Sequence, residues 1–256
     1  MSDLMKGKRG LIMGVANERS IAWGIAREMA AQGAELAFTY QGEAFGSRLA
    51  PLAATVGSDI MVDVDVTDDA SLERAFSELN DKWGKLDFIV HAIAYSDKNE
   101  LTGRFVDTSR DNFKNSLDIS CYSLIDVARR ALPMMTDGGT ILTLTFQGSN
   151  RVTPNYNVMG VAKAALESAV RYLANDLGPQ GIRVNAISPG PMKTLAGAAI
   201  GGARKTFKVT AENAPLRSNA TLESVGGTAV YLASDYGAFT TGEIIPVDGG
   251  FHVLSL

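Results

Sequence analysis

The chain has 256 residues, 46% hydrophobic and 20% charged, which is enough to bury one large core and too apolar for a disordered chain. Its 24 basic and 28 acidic residues leave a net charge of −4, which does not favour nucleic-acid binding, since that usually needs a concentrated basic face. One cysteine, Cys121, excludes an intrachain disulfide, and no stretch approaches the roughly 18 apolar residues of a membrane span, so the expectation is a soluble cytoplasmic protein.

From the N-terminus, short apolar runs alternate with amphipathic segments. The run 10–14 (GLIMG) reads as a strand, and the apolar stretch Leu11–Ala16 is too short for a signal h-region. Residues 20–34 read as a helix opened by Ser20. A strand follows at 35–40, then a helix at 43–57 that Pro51 is expected to kink or divide. A strand at 59–66, a helix at 68–84 with acids in its first turn, and a strand at 86–95 complete the first half. The second half predicts helices at about 109–134, strand at 139–146, helix at 156–177, strand at 182–190, helix near 221–234 and a last strand at 243–250. Strands alternating with helices require right-handed crossovers and a parallel sheet covered on both faces. The reading is a single α/β domain spanning 1–256, a Rossmann-like doubly wound parallel sheet of about seven strands. Ligands of such sheets lie at the carboxyl ends of the strands.

The first strand–helix turn reads GVANERSIAWGIA. A dinucleotide site needs a tight turn, close approach of backbone to the pyrophosphate and a helix N-terminus aimed at it. Gly14 supplies the turn, Ser20 a hydroxyl beside the amides of Ser20 and Ile21, and Gly24 a close approach of helix to sheet. Alone, this loop is equally a strand–helix turn with a capping serine. At the end of the second strand stand Gln41 and Glu43, with no lysine or arginine before Arg48. Gln41 can bond a ribose hydroxyl and Glu43 would repel a 2′-phosphate, which favours NAD(H) over NADP(H). Asp65 and Val66 end the third strand, where an adenine edge can be held; Asp65 equally suits a cap on the next turn.

Tyr156 and Lys163 lie seven residues apart on the helix predicted at 156–177. Seven residues turn through about 700°, so the two share a face roughly 10 Å apart, and a cofactor ribose can bridge them. A nearby ammonium favours the phenolate and eases proton transfer by tyrosine. An isolated pair of this kind is a packed tyrosine and a surface lysine; here it follows the fifth strand of a dinucleotide fold.

With these residues in place, the chain resembles the short-chain dehydrogenase/reductases, and among them the NADH-dependent enoyl-[acyl-carrier-protein] reductases of fatty-acid synthesis. The resemblance rests on GVANERSIAWGIA, HAIAY, PNYNVMGVAKAALE, RVNAISPGPMKTLA and VDGGF, and covers essentially the whole chain. It implies NADH as cofactor, an enoyl chain on acyl-carrier protein as substrate, and a homotetramer packed through the helices near 109–134 and 156–177. It further implies Gly14, Ser20 and Ile21 at the pyrophosphate; Gln41, Asp65, Val66 and Ile93 around the adenosine; and Lys163 at the nicotinamide ribose. Met192, Lys193, Thr194, Leu195 and Ala196 would line the nicotinamide and phosphates, Ser96 would lie near the substrate, and Tyr156 would face the thioester carbonyl.

The family pattern has a second tyrosine where this chain has Phe146. A missing donor to the developing oxyanion costs ~10²–10³ in rate, and a missing neutral hydrogen bond only about 1 kcal/mol. The expectation is an active, slower reductase. The glycine-rich segment 195–209 suits a substrate lid whose Ile200 and Phe207 cover an acyl chain. Arg204, Lys205 and Lys208 make a basic cluster, read either as a carrier-protein dock or as a solvated face. His91 and His252 have no partners at metal-ligand spacing, so no metal is expected, and His91 reads as a hydrogen-bonded core residue. Two alternatives stay open: a short-chain carbonyl reductase, and a non-catalytic dinucleotide sensor.

Overall fold

The computed structural model describes residues 3–195, 197 and 203–255, with side chains from 205 onward in the last stretch. Seven strands form one sheet: β1 (Arg9–Met13), β2 (Glu35–Tyr40), β3 (Ile60–Asp63), β4 (Phe88–His91), β5 (Gly139–Leu144), β6 (Ile182–Pro189) and β7 (Ile244–Val247). Their spatial order is β3-β2-β1-β4-β5-β6-β7, and every neighbouring pair is parallel. The order reverses between β1 and β4, which opens the crevice where such sheets take ligands.

The strands are apolar at nearly every position because both faces are covered. Alternate residues of one strand serve opposite layers, as the period of two demands. On one face Leu11, Met13, Ile89, Ile141 and Val184 pack under α3 (Asp69–Trp83), α5 (Ser123–Ala131) and α6 (Asn157–Leu177). On the other, Ile12, Phe38, Phe88, Val90 and Leu142 pack under α1 (Ile21–Ala31), α2 (Glu43–Thr55) and α8 (Leu222–Ala233). Fully burying a side chain such as Phe88 or Ile12 contributes about 1.5–3 kcal/mol.

All seven expected strands are present, with trimmed ends. β3 stops at Asp63 and β4 at His91, although their apolar runs continue to Val66 and Ala94. Val64, Val66 and Ile93 remain in the core after the chain has left the ladder, so apolarity outlasts strand geometry there. Pro51 neither ends nor divides α2, which runs from Glu43 to Thr55 through it. Both Pro51 and Ser47, whose carbonyl the missing N–H would have met, are exposed, so water can take up the orphaned acceptor.

The helices expected over about 109–134 are α4 (Arg110–Leu117) and α5, joined by a π turn at Asp118–Tyr122 and followed by a short 3₁₀ turn. The π turn buries Ser120 completely. Ser120 Oγ accepts from the Tyr95 N–H at 3.0 Å and donates to the Tyr95 carbonyl at 3.1 Å, tying the loop after β4 to this helix. The last described helix of the lid region, α7 (Ala203–Asn213), precedes α8. No helix among the described residues is long and apolar enough to cross a membrane.

Candidate active site

The loops after β1, β2, β3, β4, β5 and β6 gather along one rim of the sheet. In the β1–α1 turn Gly14 has φ +96° and lies against β4: a Cβ there would stand 2.1 Å from the Ala92 carbonyl oxygen. Only glycine fits. Ser20 is buried, and its Oγ accepts from the N–H groups of Ala16 and Asn17 at 3.0 and 3.1 Å. Its own N–H donates to the Asn17 carbonyl at 3.0 Å, so that amide is spent on the loop. Ser20 therefore shapes the turn from within. The first turn of α1, beginning at Ile21, carries no acidic residue, so its N-terminal amides and dipole are unopposed. A closed glycine turn leading into such a helix end fits a pyrophosphate. Gly24 has a different role from the one expected: a Cβ would stand 2.7 Å from Leu222 Cβ, so it sets the approach of α1 to α8 and not to the sheet.

The next two loops form an acidic rim. Asp63 Oδ1 accepts from the Gly42 N–H at 2.9 Å, which fixes the turn that carries Gln41 and Glu43. Asp65 Oδ1 accepts from the Thr67 hydroxyl at 2.7 Å and the Thr67 N–H at 2.9 Å. The Thr67 hydroxyl first, then its N–H, hold the Asp65 carboxyl below the usual range, with Gln41 adding a further bond. Asp65 thus caps its own turn while remaining a charge beside Gln41. Val66 and Ile93 are half-buried against the same core layer. Glu43, Asp63 and Asp65 together give a 2′-phosphate no basic partner on this rim.

Tyr156 sits where β5 hands over to α6. It is 7% exposed and caps the helix with φ −114° and ψ −22°. The residues on either side have left-handed backbone, Asn155 at φ +61° and Asn157 at φ +33°. Asparagine tolerates this region better than most residues, yet it still stores strain. Asn157 Nδ2 donates to the Glu100 carbonyl at 3.0 Å, which ties this turn to the loop after β4. The reversal drives the Tyr156 ring inward, against Gly148, where a Cβ would stand 2.5 Å from Tyr156 Cδ1. The Phe146 ring meets Tyr156 edge-on, with centroids 5.2 Å apart and planes at 67°. Leu101 and Met159 complete this small apolar cluster.

Burial pushes the Tyr156 phenol upward, and the Glu167 charge pushes it further. Without a bridging group the phenol is a protonated donor, and the lysine does not make it a phenolate. Lys163 lies two turns along α6, 6% exposed, and its Nζ donates to the Leu144 carbonyl at 2.8 Å. Burial lowers its pKa to about 8, against the opposing pull of Cys121 and Glu167. Beneath it His91 is fully buried, with Nε2 2.8 Å from Ser123 Oγ and Nδ1 3.1 Å from Thr143 Oγ1. Burial first, and the Lys163 charge second, lower His91 to about 3, so it is a neutral, hydrogen-bonded core residue.

The remaining expected residues lie on loops around this pair. Ser96 Oγ donates to Asn112 Oδ1 at 3.2 Å, on the loop that Ser120 anchors. After β6, Met192 packs on the core layer of α1, and Thr194 Oγ1 accepts from the Gly197 N–H at 2.9 Å. Leu195 is exposed. Lys193 Nζ stands 4.8 Å from the centroid of the Phe207 ring, so these two side chains engage each other. Lys205 and Lys208 are exposed on α7, and Lys208 pairs with Glu212 at 3.7 Å. Ala196 and Ile200 lie outside the described residues, as does the side chain of Arg204.

Three features had no reading in the sequence. The asparagines flanking Tyr156 were visible as N-Y-N, and left-handed turns favour asparagine, so a signal existed. The π turn carrying Ser120 has no dependable sequence mark. Thr145 and Glu167, joined by a 2.6 Å hydrogen bond, are 22 residues apart and meet only through the β5–α6 crossover.

The chain matches the family model described as enoyl-(acyl carrier protein) reductase over residues 14–252. An enoyl-[acyl-carrier-protein] reductase [NADH] of Rhizobium meliloti is 59% identical over 256 residues, covering 100% of this chain and 96% of the relative. The solved enoyl-(acyl-carrier-protein) reductase of Anaplasma phagocytophilum, in complex with NAD, is 54% identical with TM-score 0.97, covering 100% of this chain and 98% of that one. The Bacillus cereus enoyl-acyl carrier protein reductase, solved with NADP+ and indole naphthyridinone, is 49% identical with TM-score 0.97, and both chains are covered in full at 100%.

Proposed function

The chain belongs to the enoyl-(acyl carrier protein) reductase family, and within it we propose which of its residues carry the reaction. It is an NADH-dependent enoyl-[acyl-carrier-protein] reductase, which reduces the 2,3 double bond of trans-2-enoyl thioesters in fatty-acid synthesis. NADH, when bound, supplies the hydride that adds to C3 of the enoyl chain.

Gly14, Ser20 and Ile21 hold the pyrophosphate through the closed turn and the start of α1. Gln41, Asp65, Val66 and Ile93 surround the adenosine, with the acidic rim turning away a 2′-phosphate. Lys163 holds the nicotinamide ribose, and Met192, Lys193, Thr194 and Leu195 line the nicotinamide end. Tyr156 donates to the thioester oxygen as negative charge develops there, and the proton that completes the reduction at C2 arrives by way of the phenol and water. A donor of this kind is worth ~10²–10³ in rate. The observation that carries this reading is the Tyr156 phenol itself, buried, kept protonated and aimed by strained backbone on both sides. Strain of that kind is retained where function requires a fixed direction.

In this reading the described part of the 195–209 segment serves as a lid, with Phe207 bearing on the acyl chain and Ser96 at its other side. Lys205 and Lys208, both exposed on α7, offer an acidic carrier protein a basic landing surface. Phe113, Tyr122, Ile125 and Tyr172 are exposed apolar residues on the two helical regions through which the family resemblance places a homotetramer. Sedimentation of the purified chain tests that assembly; a monomer at working concentration would remove it.

NADH oxidation with a short trans-2-enoyl thioester tests the central reading. Tyr156→Phe is expected to lower turnover by ~10²–10³ and to leave NADH affinity nearly unchanged. Unchanged turnover would overturn the assignment of Tyr156. Equal activity on a 3-oxoacyl thioester would point to a carbonyl reductase, and tight NADH binding with no turnover on any thioester to a sensor.

A further inference from the structure

Glu167 lies four residues beyond Lys163 on α6, so the two side chains emerge on one face with Cβ atoms about 5–6 Å apart. Its Oε1 accepts from the Thr145 hydroxyl at 2.6 Å. Thr145 is 4% exposed and directly precedes Phe146, and the carbonyl of the residue before it, Leu144, receives the Lys163 ammonium. One carboxylate, one threonine and one lysine therefore lock the last residues of β5 to α6. On its far side Glu167 opens onto a cavity of about 290 Å³, lined also by Ser149, Arg151, Asp248 and His252.

We infer that Glu167 is a positioning residue for the reduction: it fixes the end of β5 through Thr145 and sets a negative charge one helical turn from Lys163. This rests on the proposed roles of Tyr156 as the proton donor and of Lys163 as the cation that holds the nicotinamide ribose. Burial alone drives both toward their neutral forms, which suits the tyrosine and harms the lysine. Glu167 acts on each: it keeps the phenol protonated and opposes the loss of the ammonium. It is the one carboxylate among the described residues that bears on both.

The other titratable groups around Lys163 come from each element packed on it. His91 on β4 is neutral, lowered to about 3 by burial and then by the Lys163 charge. Cys121, on the π turn, is raised by burial, against the opposing Lys163 charge. Tyr156 is protonated. Across the cavity Arg151 is engaged by the carbonyls of His252 and Leu254, and Asp248 is paired with His252 at 2.9 Å. Their charges are committed to the C-terminal segment, which leaves Glu167 to serve the pair.

Glu167→Gln separates the two roles, because the amide oxygen still accepts from Thr145 while the charge is gone. The rate kcat/KM with an enoyl thioester and the NADH affinity, read by NADH fluorescence, are each followed from pH 6 to 10. The expected result is that the alkaline fall of both profiles moves down by about half to one pH unit. Glu167→Asp, which keeps the charge, should restore the native limb. Thr145→Val, which cuts the bond and keeps the charge, should lower turnover a few-fold with the limb in place. An unmoved limb in Glu167→Gln, or an equal displacement in Thr145→Val, overturns the inference. Native turnover in both Tyr156→Phe and Lys163→Met would instead sink the reading of the pair on which it rests.

Discussion

Two strand–helix turns on the same rim solve opposite problems. The β1–α1 turn must bring backbone close to a ligand, so it removes a side chain: Gly14 has φ +96° and no room for a Cβ. The β5–α6 turn must aim a side chain and bury it, so it keeps side chains and accepts strain: Asn155 and Asn157 have left-handed backbone around Tyr156. In the proposed reading, binding at the first turn is supplied by amides and a helix end. The second carries the two titratable groups to which we assign the chemistry, and burial drives both toward neutrality. A binding turn is preserved by space, and a catalytic turn by direction and charge.

The sharpest test of the first half is Gly14→Ala. The added methyl meets the Ala92 carbonyl at 2.1 Å, and that residue directly follows β4 and is tied to β1 by its N–H to the Met13 carbonyl. Overpacking combined with a positive φ should cost about 1–3 kcal/mol of stability. Chemical denaturation measures this, and NADH titration should show weakened binding with little change in turnover at saturation. Native NADH affinity in this variant would separate the turn from the cofactor.

The second turn answers to pH where the first does not. Lys163 holds its proton less tightly folded, at about 8, than at its ordinary 10.5. Between those values the unfolded chain binds more protons, so this group's contribution to stability rises with pH; below about 8 the full cost of the buried charge remains. Lys163→Met removes that cost. Any stability advantage it has over the native chain should therefore be largest near pH 7 and shrink steadily toward pH 10. Denaturation curves at four pH values check this, and a gap that stays constant would mean that Lys163 titrates as an exposed lysine.

Much of the first turn was legible in the sequence, and less of the second. Gly14 and the helix beginning at Ile21 follow from local chemistry: a glycine after an apolar run and a serine before an amphipathic one. The seven strands were legible for the same reason, because a doubly covered strand is apolar throughout. Strand ends were not, since Val66 and Ile93 stay in the core after the ladder stops. Tyr156 and Lys163 were legible as a spacing, but not as a pair that burial pushes in opposite directions. That property arises from β4, β5 and the π turn closing over α6, and from Thr145 meeting Glu167. Ser20 shows the limit in small: its place at the helix start was readable, but its use in closing the loop from inside was not.

Strain at the second turn is measured by comparing Asn155→Ala with Asn155→Gly. Both lose the side-chain amide, and they differ in what φ +61° demands of the backbone. Alanine in left-handed backbone costs roughly 1 kcal/mol, and glycine adopts it freely. The alanine variant should therefore be less stable than the glycine variant by about 1 kcal/mol. If the glycine variant also loses turnover at unchanged stability, the asparagine serves the aim of Tyr156 and not merely the turn. Equal stability of the two would mean that the segment relaxes when asparagine is removed.

The smallest expected effect concerns the neighbour of the catalytic ring. Phe146 packs edge-on to Tyr156 at 5.2 Å, within a cluster completed by Leu101 and Met159. Its role in the structure is thus contact with the ring that Asn155 and Asn157 aim, a role that needs the aromatic edge and not a hydroxyl. Phe146→Tyr keeps the edge and adds one donor. If that donor reaches only a neutral acceptor, the gain is about 1 kcal/mol, a several-fold rise in turnover, with NADH affinity unchanged. Parallel turnover measurements on the two proteins with the same enoyl thioester decide it. A rise nearer 10²-fold would make position 146 a second donor to the oxyanion, so that the catalytic turn aims two hydroxyls in the family pattern and one here. No rise at all would leave Phe146 as packing alone, with Tyr156 as the one hydroxyl that this turn was strained to aim.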